Sequence, residues 1–432
     1  MTIFIGFGFS MVGFVGRGIL STNGNIAGET RRRWIWAGGT DVWSRLGMTG
    51  AGGFIGIVCL MLLGCQPHGE PKHADGPSLP IPNDHGLVTV EWLKSALDQR
   101  QSADEYSQAI RNPGQPNDAE NSHEVARAKM PPIVIVEASW ADLANAKDYH
   151  RGHIPGAIHV NTDLFENGYP QWKLKPIESL QQTIGDFGIS PDTVVIVYSE
   201  QLIAATRVWW ILMYAGVEDV RILDGDARTW KEAGFELEQA TRELPPVSFV
   251  ATPRTHWIMD TETLRAQIVA SQEMRSHNPL VPLRLFDMRS RPEYDGTISG
   301  YTYLDAKGRI PGAIWLGDAD DSSQTYKLAS GRLRPPREVY AEWQVQGLEL
   351  SQRSDSTAES LHVFYCGGGW RSSAAFYYAW LGGAQNIRNY SEGWAGWSTR
   401  YVRDDSAQGN TPGWLQQKTD NPVEPAEPAS SR

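Results

Sequence analysis

Two kinds of hydrophobic pattern alternate along the chain. Short apolar runs rich in β-branched residues, at residues 133–136, 193–198, 283–286 and 361–365, are too short for helices and read as buried strands. Between them lie stretches at residues 90–97, 204–215, 260–268 and 372–381 that read as helices. A third strand then runs into a Gly/Trp turn at residues 220–230 and again at 387–397. Strands alternating with helices predict α/β domains, each a mostly parallel sheet with helices on both faces. Ligands of such sheets sit at the carboxyl ends of the strands.

The pattern occurs twice because the chain repeats itself. Gly152-His-Ile-Pro-Gly-Ala-Ile-His-Val160 matches Gly308-Arg-Ile-Pro-Gly-Ala-Ile-Trp-Leu316 at six of nine positions. The strand ending Tyr198-Ser199 matches the one ending Tyr365-Cys366, and Trp230 and Trp397 each follow 31 residues later. Ser199 therefore stands in the first copy where Cys366 stands in the second. The expected layout is a leader (1–64), a tether (65–84), a first domain (85–243) with a polar insertion at about 99–130, a linker (244–256), a second domain (257–405) and a disordered tail (406–432).

The leader holds an uncharged run at residues 50–64, about the length of a signal h-region and shorter than a membrane-spanning helix needs. It ends in Leu62-Leu-Gly-Cys65, which resembles a bacterial lipobox and makes Cys65 the expected lipid attachment site. An exported, periplasmic, lipid-anchored protein is the expectation. The basic run Arg31-Arg32-Arg33 lies far upstream of the apolar stretch, which leaves an uncleaved anchor as the alternative.

At 432 residues, 41% hydrophobic and 21% charged, the chain has room for two ordinary cores. A net charge of -11 argues against nucleic acid and against attraction to anionic lipid, since either needs a basic face. Of three cysteines, Cys59 and Cys65 fall in the leader region, so Cys366 is the one thiol expected in the folded part. No metal and no cofactor is expected: a zinc site needs several Cys or His ligands, and a thioredoxin-like site needs a second cysteine.

A strand, a cysteine, three glycines and an arginine at the head of a helix form Cys366-Gly-Gly-Gly-Trp-Arg371. Gly367, Gly368 and Gly369 leave room for backbone N–H groups to turn inward as an anion nest, and the helix near Ser372 adds its positive end. With the Arg371 guanidinium, these favour a thiolate at Cys366 and stabilise a persulfide anion, while Arg371 could hold a donor's oxyanion. The alternative is a flexible turn with Cys366 as buried filler. The other copy, Ser199-Glu-Gln-Leu-Ile-Ala204, has neither the glycines nor an arginine, so the fold alone does not demand them. Cys-x4-Arg also forms a tighter ring than the Cys-x5-Arg of tyrosine phosphatases, which suits a sulfur atom better than a phosphate.

Residues 86–405 resemble the tandem rhodanese family of thiosulfate and 3-mercaptopyruvate sulfurtransferases, through the paired Ile-Pro-Gly-Ala motifs, the Asp287-Met-Arg289 strand end, the cysteine loop and the closing Trp turn. Residues 298–308 with the cysteine loop resemble a bacterial exported thiosulfate sulfurtransferase subgroup. The resemblance implies an inactive first domain and a second in which Cys366 takes sulfane sulfur from a small anionic donor such as thiosulfate and passes it to cyanide or a thiol. Gly-Gly-Gly-Trp-Arg matches neither the mitochondrial thiosulfate loop nor the mercaptopyruvate loop, so the donor stays open. Asp287 and Arg289 either orient the loop base or form a structural salt bridge, and Trp370 either shields the sulfur or packs. The competing reading is a low-turnover sulfur carrier, or a module docking a redox or sulfur-carrier protein at a membrane.

Overall fold

The computed structural model describes residues 83–110, 132–273, 283–317, 325–348, 350, 360–404 and 413–425. The leader, Cys65 and nearly all of the tether lie outside them. The first domain runs β1 (Leu87–Val88), α1 (Val90–Ile110), β2 (Ile133–Ser139), α2 (Lys147–Arg151), β3 (Ala157–Asn161), α3 (Ile177–Asp186), β4 (Val194–Tyr198), α4 (Leu202–Ala215), β5 (Asp219–Leu223) and α5 (Ala227–Glu232). Its sheet has the order β1-β5-β4-β2-β3, every pair parallel. The second domain runs α6 (Thr261–Glu273), β6 (Leu283–Asp287), α7 (Arg291–Tyr294), β7 (Ile314–Trp315), α8 (Pro336–Val345), β8 (Leu361–Tyr365), α9 (Trp370–Leu381), β9 (Ile387–Tyr390) and α10 (Gly393–Ser398). Its sheet, β7-β6-β8-β9, is also parallel throughout.

β4 and β8 are buried at every position, as strands covered on both faces must be. Each ends in a tyrosine with a specific task. Tyr198 Oη donates to Glu137 Oε2 at 2.7 Å and accepts from Ile154 N at 3.1 Å. Tyr365 Oη donates to Asp287 Oδ2 at 2.5 Å and accepts from Ile310 N at 3.4 Å. The tyrosine thus pins the Ile-Pro-Gly-Ala turn of its own copy to the sheet.

The helices that follow the two loops, α4 and α9, pack against each other across the domain boundary. The Trp209 ring meets Tyr377 at 4.9 Å and Trp380 at 5.1 Å, and Trp257 joins Phe376 at 4.8 Å. Both loops are consequently brought to the domain boundary.

The structure bears on two of the expected segments. The polar stretch expected to begin an insertion at about residue 99 continues α1 to Ile110. Its Gln, Arg, Ala and Glu residues are good helix formers, and polarity alone does not end a helix. The tail expected to be disordered is structured at 413–425, where β11 (Gly413–Lys418) pairs antiparallel with β10 (Thr399–Asp404). Beyond it the Trp397 indole donates to Pro422 O at 2.8 Å, and Glu424 forms a bridge with Arg309. Glu424 Oε1 also accepts from Gly312 N at 2.8 Å. The first copy does the same over a shorter span, with Glu238 paired to His153 and accepting from Gly156 N at 2.7 Å. Pro and polar residues cannot form a core, but they can close backbone hydrogen bonds that the turn leaves open.

Candidate active site

Cys366 stands at the end of β8, 1% exposed, and is a free thiol. Burial pushes its pKa up, but the Arg371 charge, the backbone N–H groups of Ser372 and Gly368 and the Ser372 hydroxyl outweigh that and hold it below the ordinary thiol value. Of the three loop glycines, only Gly369 uses the left-handed conformation, at φ 88°. The helix starts at Trp370 rather than at Ser372, which puts Arg371 in its first turn.

The glycines differ in function. A Cβ on Gly367 would lie 1.7 Å from Tyr301 Oη, so a side chain there is excluded by the tyrosine. A Cβ on Gly368 would meet nothing within 4 Å, which marks the open side of the loop. Behind the loop, Trp394 N donates to Cys366 O at 2.7 Å and Ala395 N to Gly367 O at 3.0 Å. The first turn of α10 thus anchors the base.

Ser372 Oγ lies 3.7 Å from Cys366 Sγ and 2.7 Å from Asn389 Oδ1. Asn389 Nδ2 donates to Ser373 Oγ at 2.9 Å, which fixes Oδ1 as the acceptor facing Ser372. The single Ser372 hydroxyl proton is shared between two acceptors, so the amides and Arg371 do most of the work at the sulfur.

Asp287 and Arg289 form a fully buried ion pair, Nη2 to Oδ2 2.6 Å. Arg289 also donates to Gly308 O at 2.9 Å and its guanidinium lies 4.8 Å from the Trp394 ring. Through Tyr365 and Trp394, the residues on either side of the loop, this pair sits under its base. The salt bridge of the two readings is thus present.

Arg371 is engaged within the protein. Its guanidinium donates to Glu293 Oε2 at 2.7 Å, to Glu293 Oε1 at 2.9 Å and to Tyr301 Oη at 2.5 Å. Glu293 is itself fixed by a capping box, accepting from Ser290 N at 2.9 Å and Ser290 Oγ at 2.7 Å. Burial raises the Glu293 carboxyl, but Arg371, Arg289 and Ser290 bring it below the usual carboxylate range. Ser290-x-x-Glu293 was a readable capping signal; its partner Arg371, 78 residues away, was not.

Trp370 packs. Its Nε1 donates to Glu166 Oε1 of the first domain at 3.0 Å, and its ring stacks on Trp140 at 5.2 Å. Glu166 pairs with Arg207 at 2.9 Å, and Arg207 reaches Ser391 Oγ at 3.0 Å and Gly369 O at 3.5 Å. Nothing local in the sequence marked Glu166, Arg207 or Trp140. In the first domain, Lys327 of the second lies over the Ser199 loop, donating to Glu200 O at 2.5 Å and to Asp226 Oδ2 at 2.9 Å. A cleft of about 390 Å3 lined by Lys173, Thr261, Glu392, Gly396 and Asn421 also lies where the domains meet, and no cysteine lines it.

The chain matches the rhodanese-like domain twice, at residues 125–233 and 270–400. It is 32% identical over 323 residues to thiosulfate sulfurtransferase YnjE of Escherichia coli (strain K12), covering 73% of this chain and 69% of that protein. It is 24% identical to 3-mercaptopyruvate sulfurtransferase of the same organism, over 62% of this chain and 90% of the relative. The crystal structure of YnjE superposes with a TM-score of 0.59 at 29% identity, covering 81% of this chain and 70% of that one. A structure of EanB holding a cysteine persulfide and ergothioneine superposes with a TM-score of 0.57 at 26% identity, covering 80% and 71%. The doubled α/β domain and these matches agree: this chain belongs to the rhodanese family, as a sulfurtransferase of two rhodanese-like domains.

Proposed function

We propose that Cys366 is the sulfur carrier. The thiolate attacks the outer, sulfane sulfur of thiosulfate, the S–S bond of the donor breaks, and sulfite leaves with the electron pair. The terminal sulfur of the resulting persulfide is then attacked by cyanide or a thiol, and Cys366 returns as thiolate. The observation that carries this reading is a buried thiol at the end of β8 whose Sγ lies 3.7 Å from Ser372 Oγ in the first turn of α9, with the Arg371 charge and nearby backbone N–H groups holding its pKa down. The same groups suit a persulfide anion. The persulfide in the EanB structure supports it by analogy.

The naming of the relatives favours thiosulfate as donor, with 3-mercaptopyruvate as the alternative. Gly368 is a partly exposed loop position with open space beside it, which suits a small anion or an extended thiol. A thiol on a redox or sulfur-carrier protein is the acceptor class we favour in a periplasmic setting. That setting rests on the lipobox-like Leu62-Leu-Gly-Cys65, with Cys65 as the site of lipid attachment.

Intact mass after thiosulfate exposure, on the wild type and Cys366→Ser, tests the chemistry together with thiocyanate formation from cyanide. A one-sulfur adduct on the wild type alone, with turnover, is expected. No adduct on the wild type refutes the persulfide, and an adduct without turnover favours a sulfur carrier over an enzyme. Metabolic labelling with a fatty acid, lost in Cys65→Ser, tests the anchor.

A further inference from the structure

We propose that Glu166 and Arg207 of the first domain are positioning residues for the Cys366 loop, so that the domain without a nucleophile holds the thiolate-stabilising geometry of the other. The inference rests on Cys366 being the reacting group, and it adds the part of the machinery that crosses the domain boundary.

Arg207 is not a relic of a lost catalytic arginine. In the register that aligns Ser199 with Cys366, the position of Arg371 is taken by Ala204. Arg207 lies nearly a turn further along α4 and points across the interface. Its side chain and that of Glu166 are 0% and 1% exposed, a deeply buried pair on the wall between domains. Removing two charges from water takes back most of what their attraction returns, so packing alone does not call for such a pair. Glu166 Oε2, moreover, is buried without a hydrogen-bond partner, a further cost to folding. What the pair provides is orientation.

Its contacts converge on the two residues where the loop becomes a helix. Gly369 takes φ 88°, and a Cβ there would lie 2.7 Å from Arg207 Nη1 and 2.8 Å from Ser391 O. The Gly369 carbonyl accepts from Ser373 Oγ at 2.6 Å and, at longer range, from Arg207 Nη1 at 3.5 Å, so it is held from both domains. Trp370 is held by its N–H on Glu166 and its face on Trp140. Gly368, whose amide faces the sulfur, directly precedes these two residues, and Ser372, which supplies the other amide, follows one residue beyond them, after Arg371. A shift of Gly369-Trp370 turns both amides away from Sγ.

The test is the pH dependence of Cys366 carbamidomethylation by iodoacetamide in the full chain, read on the Cys366 peptide by mass spectrometry, with thermal melting alongside. The midpoint reports the thiolate, whereas access to a buried thiol scales the whole curve. Glu166→Gln and Trp370→Phe should each raise the midpoint by about half a pH unit and slow modification about threefold at pH values well below the midpoint. Arg207→Ala should do more, and Arg207→Lys should recover part of the shift. Trp370→Phe keeps the stacking on Trp140 and deletes one N–H, so it decides the matter even where Arg207→Ala does not fold. Midpoints that superpose on wild type in Glu166→Gln and Trp370→Phe, with only the melting temperature lowered, overturn the proposal. This readout needs no sulfur donor, so a failed persulfide assay and a failed positioning role give different results.

Discussion

Glu293 grips Arg371 with both carboxylate oxygens, at 2.7 and 2.9 Å, and so fixes the loop guanidinium from its buried side. The arginine that the loop spacing marks as a donor-binding group therefore acts on Cys366 first as a fixed charge. Glu293→Gln leaves that partly buried guanidinium without its counter-charge, and a loss of about 1–3 kcal/mol in urea unfolding is expected. Because the folded Glu293 pKa is lowered, its contribution is present above the ordinary carboxylate value and is lost as pH falls through the folded one. The difference between wild type and Glu293→Gln should accordingly shrink in acid; a constant difference down to about pH 3 would contradict the ion pair as its source.

Gly367 and Gly368 are expected to respond unequally to alanine. At Gly367 the added methyl displaces Tyr301 Oη and with it a hydrogen bond to Arg371. At Gly368 the space is empty. Sulfur transfer should fall about tenfold or more in Gly367→Ala and clearly less in Gly368→Ala. Equal losses would mean that the loop's open side is not at Gly368.

Glu137 provides a stability titration near neutrality. It occupies the place of Asp287, but Ser139 stands where Arg289 does and bonds His159 instead, at 2.8 Å. Burial, with no cation at hand, pushes the Glu137 carboxyl up to about 7. The folded state then holds this proton more tightly than the unfolded chain, so its contribution is complete below the unfolded value of 4.5 and is lost as pH rises through about 7. Glu137→Gln, which needs no proton, should gain up to about 3 kcal/mol over wild type at about pH 8 and nothing near pH 4. Melting curves at the two pH values decide it, and no gain at the higher pH would refute a buried, uncompensated carboxyl.

Glu424 closes the turn of the second domain as Glu238 closes that of the first. Glu424→Ala removes acceptors from Gly312 N and from Arg309 Nε, whose side chain is 9% exposed. A loss of about 1–3 kcal/mol in urea unfolding is expected, with a similar loss for Glu238→Ala. Unchanged unfolding in Glu424→Ala would show that residues 413–425 are not held to the domain.

The periodicity of short apolar runs, the duplicated Ile-Pro-Gly-Ala turn and the Cys-Gly-Gly-Gly-x-Arg spacing were enough to read two parallel α/β domains and to place Cys366 at a strand end. Each of those features is local: a strand, a turn and a helix start are set by residues within a few positions of one another. Even the amides facing the thiol, Gly368 and Ser372, come from that local segment. The partners of Arg371 and Trp370 do not. Glu293 lies 78 residues from Arg371 and Glu166 lies 204 from Trp370, and no periodicity links side chains at such separations. They meet because two sheets put their loops at one boundary and α4 packs on α9. The segment at 413–425 is a similar case, since its polar, Pro-rich composition hides that its partners are backbone groups of a distant turn. The sequence by itself determined the repeat, the sheet and the strand-end place of Cys366; tertiary packing decided what surrounds that thiol, because contacts between distant segments depend on how whole elements stack rather than on any local pattern.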